Sequence, residues 1–307
     1  MSKYTSSVRY VVAIDIGGTD IKAALVNENL EIISSSLRPT PKLDSAAVKT
    51  IATIKEIVNE LSKGYTVSAL GVCVCGVFDD INGICIWSGN LDWKNVHLQE
   101  LLAQELAIPV VAGHDIRTAG TAEMRNGAAA GYANSIFIAI GTGIAASLVI
   151  DGLIRSADGY AGEIGHLDVG GDAQCVCGRK GCLEAEASAL AISTAYEKAA
   201  GKSGVSTEEI AKLVRDDDPI ASQVWNDAML ALARACETLI TTLSPEAIIF
   251  GGGLAKSREL LINPISDALD KRLTFQRKPE LKIAHYESTA GTVGCAMAAF
   301  DLINEAL

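Results

Sequence analysis

The chain has 307 residues, 49% of them hydrophobic and 21% charged, with a formal net charge of -11. That length allows a sizeable core and two domains. No block of lysine and arginine marks a nucleic-acid footprint, and no apolar run approaches the roughly 20 residues of a membrane helix.

The N-terminus is short and polar, without a basic-then-apolar leader ending in a small-residue cleavage site. Eight cysteines, clustered and without such a leader, indicate a reducing compartment and hence the cytoplasm.

An apolar strand, Val11 to Ile14, ends in Asp15-Ile16-Gly17-Gly18-Thr19. A second strand, Ile21 to Val26, returns from that turn, and Glu31 to Ser35 reads as a third. Glycines let backbone N–H groups approach a phosphate, and a threonine hydroxyl adds a donor. Asp15 would repel phosphate, so its role there is to hold Mg²⁺ or a metal-bound water. An ordinary tight hairpin is the alternative.

Asp44 is a candidate N-cap for a helix with apolar residues at Val48, Ile51, Ile54, Ile57, Val58 and Leu61, ended by Gly64. Ala69 to Val77 reads as a buried strand. Cys73, Cys75 and Cys85, in or near it, read as small core residues. The segment from Trp87 to Trp93 reads as a loop with two indoles and Asn90, suited either to a sugar or to plugging the core edge. A helix is expected from Leu98 to Leu106.

The strand Ile108 to Ala112 leads through Gly113-His114-Asp115 into a helix from about Ile116. Asp115 thus stands at the edge where ligands bind in open α/β sheets. By position alone, a plain N-cap is the simpler reading.

Residues 135–150 repeat the opening pattern: strand Ile136 to Ile140, Gly141-Thr142-Gly143, then strand Ala145 to Ile150. Two such hairpins half a chain apart point to an internal duplication. Two Gly/Thr turns facing one another would clamp phosphates.

Next comes Gly162-Glu163-Ile164-Gly165-His166, then a run from Cys175 through Cys177 to Cys182-Leu183-Glu184. Three cysteines and one histidine within seventeen residues form a Cys₃His zinc-ligand set. Four protein ligands leave no open position for water, so the zinc reads as structural and a zinc hydrolase is disfavoured.

Helices are expected at Ala187 to Ala199, Thr207 to Arg215 and Ala221 to Leu243. Strand Ala247 to Phe250 meets Gly251-Gly252-Gly253, where a close approach to adenine and ribose, or a packing turn, is expected. Strand Leu281 to Tyr286 and a closing helix, Val293 to Leu302, complete the order.

Together these motifs resemble the repressor–open-reading-frame–kinase (ROK) family of sugar kinases, near the glucokinases, over nearly the whole chain. Asp15 to Thr19 matches the first phosphate motif, Gly141-Thr142-Gly143 the second, and Gly251-Gly252-Gly253 the adenosine-side turn. Glu163-Ile164-Gly165-His166 with CxCGxxGCxE from Cys175 to Glu184 matches the family's signature.

The resemblance implies an α/β fold of the actin-like ATPase class, two RNase H-like domains with a cleft between them. The first is expected at 1–112, with a closing helix at about 293–307 packed back on it, and the second at 113–292. Zinc is implied on His166, Cys175, Cys177 and Cys182. Sugar hydroxyls are implied on Asn90, His114, Asp115, Glu163, His166 and Glu184, with Asp115 as general base. Asp15, Gly17, Gly18, Thr19 and Lys22, with the other two glycine turns, are assigned to Mg²⁺-ATP.

His114 stands where the family usually has a sugar-contacting asparagine, and histidine can titrate near neutral pH. The expected activity is phosphorylation of a hexose 6-hydroxyl. The alternatives are an N-acetylmannosamine or N-acetylglucosamine kinase and a non-catalytic sugar sensor. The family's repressors carry a helix-turn-helix segment before the first strand, for which about nine residues leave no room. A homodimer without nucleic-acid or membrane partners is expected.

Overall fold

The computed structural model describes residues 8–305. Its chain divides into two compact units. Among the described residues, the first runs up to Ala122 and adds Ser156–Tyr160 and the segment from Thr289; the second comprises Glu123–Arg155 and Ala161–Ser288.

The first unit contains β1 (Tyr10–Ile16), β2 (Asp20–Asn27), β3 (Ile32–Pro39), α1 (Val48–Leu61) and β4 (Val67–Val74). A small sheet follows from β5 (Val77–Asp79), β6 (Ile84–Ser88) and β7 (Trp93–Val96). Then come α2 (Leu98–Leu106), β8 (Val110–His114) and α3 (Asp115–Asn126). The main sheet has the order β3-β2-β1-β4-β8, antiparallel across β3-β2-β1 and parallel across β1-β4-β8.

The second unit contains β9 (Ser135–Ile140), β10 (Ile144–Ile150), β11 (Leu153–Ile154), α4 (Leu183–Ala187), α5 (Ala189–Ala200), α6 (Thr207–Arg215) and α7 (Pro219–Leu243). β12 (Ala247–Gly251), α8 (Glu259–Arg272) and β13 (Glu280–Ile283) complete it, and α9 (Ala290–Glu305) returns to the first unit. Its sheet order is β11-β10-β9-β12-β13, again an antiparallel hairpin side followed by parallel pairs. Strand for strand this repeats the first sheet, as expected from the two Gly/Thr hairpins.

β1 is apolar on both faces because both are covered. Val12, Ile14 and Ile16 pack with residues of α1 and α2, while Val11 and Ala13 pack with Cys295, Ala296, Ala299 and Phe300 of α9. The sheet approaches α9 so closely that a Cβ at Gly71 of β4 would collide with the Cys295 carbonyl. The second core is centred on β9, β10, β12 and the helices α5 to α8, with Trp225 buried and its Nε1–H donating to the Leu260 carbonyl at 2.8 Å.

Several elements differ from their expected extents for identifiable reasons. The Trp87–Trp93 segment is the turn between β6 and β7 rather than a free loop, because Cys85, Trp87 and Ser88 pair with Val96, Lys94 and Trp93. Asp44 lies outside α1, yet its carboxylate accepts the Lys49 and Thr50 N–H groups at 3.0 and 2.8 Å and so serves the helix start. The expected helix from Ala187 is divided at Ser188, whose hydroxyl caps α5 by accepting the Ala191 N–H.

β13 stops at Ile283: the Ala284 N–H still donates to Phe250 O at 2.9 Å, but the two amides after it turn away from the sheet. His285 and Tyr286 donate to the fully buried carboxylate of Glu123, at 3.0 and 2.8 Å. Glu123 also accepts the Ala128 N–H at 2.7 Å. The boundary between units falls after Ala122, within α3, rather than at 112, since β8 is hydrogen-bonded into the first sheet. The closing helix spans Ala290–Glu305; positions 306 and 307 of its expected extent lie outside the described residues. No helix among the described residues is long and apolar enough to cross a membrane.

Candidate active site

In the first unit, Asp15 and Asp115 stand at the same, carboxyl edge of the sheet, because β1, β4 and β8 run parallel. The turn after Asp15 is closed by the Gly17 N–H donating to Asp20 O at 2.9 Å. Thr40 fastens it from the next loop: its hydroxyl donates to Gly17 O at 2.7 Å and its N–H to Thr19 O at 2.8 Å. Lys42 Nζ donates to Gly18 O. Gly18 lies against Asn90, whose Cβ would be 3.1 Å from a Cβ at that position, so a side chain there crowds both turns.

The Asp15 carboxyl is pushed up to about 6, first by burial and then by the charge of Asp115; Lys22, its cross-strand partner, opposes the shift. The Cys73 thiol donates to Asp15 Oδ1 at 3.6 Å. Burial likewise pushes Asp115 up to about 6, opposed by the Ile116 N–H, which donates to Asp115 Oδ1 at 2.7 Å, and by the Arg117 charge. A carboxyl tuned toward neutrality suits proton abstraction from a hydroxyl.

His114 is 5% exposed. Its Nδ1 accepts the Arg117 N–H at 3.4 Å, the capping position for the first turn of α3. Burial, and then the Arg117 charge, push its pKa down to about 3. It is therefore neutral at pH 7, although histidine is able to titrate near neutral pH.

The two indoles have opposite fates. Trp93 is 1% exposed and donates Nε1–H to Asp44 O at 3.0 Å, so it is a core residue. Trp87 is 57% exposed and folds over Gly89, beside Asn90.

In the second unit, the Gly141-Thr142-Gly143 turn is closed by the Gly141 N–H donating to Gly143 O at 2.9 Å. The Glu184 carboxylate lies over its exit, accepting the Ile144 N–H at 3.0 Å. A Cβ at Gly143 would sit 2.5 Å from Glu184 Oε2. The Gly162–His166 run is clasped to β10: the Ala146 N–H donates to Gly162 O at 2.8 Å, and Gly162, at φ 100°, leaves no room for a side chain under the Ala146 carbonyl. Glu163 is exposed at the start of this run.

The ligand atoms of His166, Cys175, Cys177 and Cys182 all lie within 4.8 Å of one another. Cys175 Sγ is 3.6 Å from His166 Nδ1, and the Cys177 and Cys182 sulfurs are 3.6 Å apart. Tetrahedral zinc with ordinary bond lengths sets such separations at about 3.6–3.8 Å, so the donor set fits this ion. The Arg179 backbone and side-chain N–H groups hold the exposed Cys177 thiol down to about 6, which favours the thiolate form that binds metal.

Gly252 has φ 80° and abuts the Ile140 carbonyl, while Gly251 lies on the Phe137 ring. Gly253 opens onto a cavity of about 500 Å³ lined also by Ala189, Thr207, Lys212, Arg215 and Lys256. A separate cavity of about 530 Å³, lined by Arg258, Lys282, His285 and Glu287, contains no predicted site residue.

The first unit thus groups Asp15, the Gly17–Thr19 turn, Asn90 and Asp115. The second groups the glycine turns, Glu184 and the Cys₃His cluster. Sequence reasoning missed Thr40 and Lys42 on the first turn, the cavity residues around Gly253, and the Asp80–Arg117 pair. Arg117 is 4% exposed, with Nε 2.8 Å from Asp80 Oδ2. No local motif announces these residues; burial of an arginine two positions from Asp115 becomes visible only in the fold.

The ROK family model matches residues 11–301. A glucokinase from Halalkalibacterium halodurans is 30% identical over 94% of this chain and 94% of its own length. A glucokinase from Thermotoga maritima is 31% identical over 93% of this chain and 96% of its own. Among solved structures, a ROK family glucokinase from Streptomyces griseus in complex with glucose and AMPPNP superposes with a TM-score of 0.84, at 28% identity, over 95% of this chain and 99% of that one. With its two RNase H-like sheets and a match along almost its entire length, the chain belongs to the ROK family.

Proposed function

We propose that this ATP-dependent sugar kinase transfers the γ-phosphoryl group of ATP to the 6-hydroxyl of a hexose, with Asp115 as general base. The observation that carries the reading is the part-buried Asp115 carboxyl, pushed up to about 6, on the same sheet edge as Asp15 and the Gly17–Thr19 turn. A sugar hydroxyl is a poor nucleophile, and a carboxylate in hydrogen-bond reach accepts its proton as the new O–P bond forms, an effect of about 10²–10⁴-fold.

Asn90 on the first unit, and Glu163, His166 and Glu184 on the second, are assigned to sugar hydroxyls, which orients the attacking oxygen. The Gly17–Thr19 and Gly141–Gly143 turns, with Lys22, receive the phosphates through N–H, hydroxyl and ammonium donors. The cavity at Gly253 receives adenosine. Asp15 fits a Mg²⁺ site: its carboxyl is raised by its surroundings and by the charge of Asp115, with only Lys22 opposing, so further positive charge there is favoured. When bound, Mg²⁺ neutralises charge on the transferred phosphoryl group.

The Cys₃His set holds zinc as a structural ion and fixes His166 beside Glu163. A ligating imidazole keeps its other N–H for a hydrogen bond, here to the sugar.

A coupled ADP-release assay over glucose, mannose, N-acetylglucosamine and N-acetylmannosamine tests the reading. Sugar-dependent ADP release, strongest with an unacetylated hexose, is expected. Release only with an acetylated sugar would reassign the substrate, and none with any of the four would turn the reading toward a sugar sensor.

A further inference from the structure

We propose that Asp80 and Arg117 are positioning residues for the base Asp115, an inference that rests on the kinase reading above. Asp80 belongs to the turn between β5 and β6, 37 positions before Arg117. Its carboxylate bridges both sides of the β8–α3 junction: Oδ1 accepts the His114 N–H at 3.1 Å, and Oδ2 accepts Arg117 Nε–H at 2.8 Å. Asp115 lies between those two residues.

Arg117 in turn spends its remaining donors on backbone carbonyls. Nη2 donates to Phe78 O at 2.8 Å and Nη1 reaches Gly159 O at 3.5 Å. A planar guanidinium can hold these partners in one fixed arrangement, whereas an ammonium cannot. His114 closes the arrangement, since its neutral Nδ1 accepts the Arg117 N–H. The first turn of α3 is therefore pinned through its cap, its third residue and an outside carboxylate, and the Asp115 side chain projects from the pinned turn.

The same cation acts electrostatically. The groups facing Asp115 are His114 and Arg117 around its own helix start, Asp80 behind them, Asp15 on β1 and the thiols of Cys73 and Cys75 from β4 and the turn after it. Burial keeps His114 and both thiols neutral, so Arg117 is the cation that favours the Asp115 carboxylate.

The test compares R117K with the double variant D80N/R117Q, which replaces the ion pair by two uncharged amides and leaves no lone buried charge. Thermal melting, kcat, sugar KM and the pH profile of kcat/KM are measured for each. In the double variant kcat falls about tenfold or more, as small displacements of a reacting group do. Its sugar KM stays within about threefold, because Arg117 touches no sugar, and the acid limb moves to higher pH because the cation is gone.

R117K keeps the acid limb of the wild type but loses turnover, which separates charge from geometry. A merely structural role would lower the melting temperature without moving the acid limb. A folded double variant with wild-type kcat and an unmoved limb overturns the inference. If that variant does not fold, R117K with wild-type kcat does so instead. Loss of turnover in D115N, alongside a wild-type-like double variant, defeats only the positioning role; retained turnover in D115N defeats the base reading itself.

Discussion

Replacing Asp115 by asparagine should raise stability while abolishing most turnover. Burial lifts this carboxyl from 3.8 to about 6. Its native-state pKa lies above the unfolded value, so the folded state binds the proton more tightly. Stability therefore falls as pH rises from about 4 through about 6, then levels off. At about 1.4 kcal/mol per pKa unit, the shift corresponds to about 3 kcal/mol at pH 7. The side chain is 24% exposed, and screening by that water reduces the effect to about 1–2 kcal/mol.

Asparagine carries no charge and retains an oxygen for the Ile116 N–H, so D115N removes this cost without orphaning a donor. Its melting temperature at pH 8 should exceed that of the wild type by about 2–6 °C, and the gap should close by pH 4. In the same preparation, sugar-dependent ADP release should fall by about 10²–10⁴-fold. A variant less stable than the wild type at pH 8 would refute the electrostatic argument, and near-wild-type turnover would remove Asp115 as base.

Removing zinc with a chelator should weaken sugar binding before the protein unfolds, since His166 and the neighbouring Glu163 lose their anchor. Calorimetry on a sample shown metal-free by elemental analysis checks this, and unchanged sugar affinity would count against it. Gly143→Ala places a methyl 2.5 Å from Glu184 Oε2. It should displace that carboxylate from the Ile144 N–H and raise the KM for sugar or ATP about tenfold, with little change in melting temperature; kinetics at several substrate concentrations read this out. Glu123→Gln puts an NH₂ group against at least one of three backbone N–H donors now facing a carboxylate. It should cost about 1–3 kcal/mol in a denaturant titration, and an unchanged midpoint would contradict the clamp.

What could be read from the residues beforehand is what the chain keeps local. The Cys₃His cluster lies within seventeen positions, and each Gly/Thr turn joins two adjacent strands. The repetition of strand, Gly/Thr turn and strand was enough to expect two similar sheets, and both have the same order and polarity. What could not be read depends on distant partners. Glu123 meets His285 and Tyr286 across more than 160 positions, and Asp80 meets Arg117 across 37.

Residue type was also ambiguous wherever packing decides its use. Trp87 and Trp93 are chemically identical, yet Trp93 faces the core from β7 and Trp87 stays exposed over Gly89. Cys73 looked like filler in an apolar strand, and it is buried, but its thiol also meets Asp15. That His114 stays neutral could not be read, because its burial and its bond to the Arg117 N–H are not written in the local sequence.

The most direct test is to incubate the protein with Mg²⁺-ATP and glucose and to identify the phosphorylated product by phosphorus and proton NMR. Glucose 6-phosphate formed in equal amount with ADP is the predicted result. Phosphate attached at another sugar oxygen, or inorganic phosphate released without any sugar ester, would contradict it.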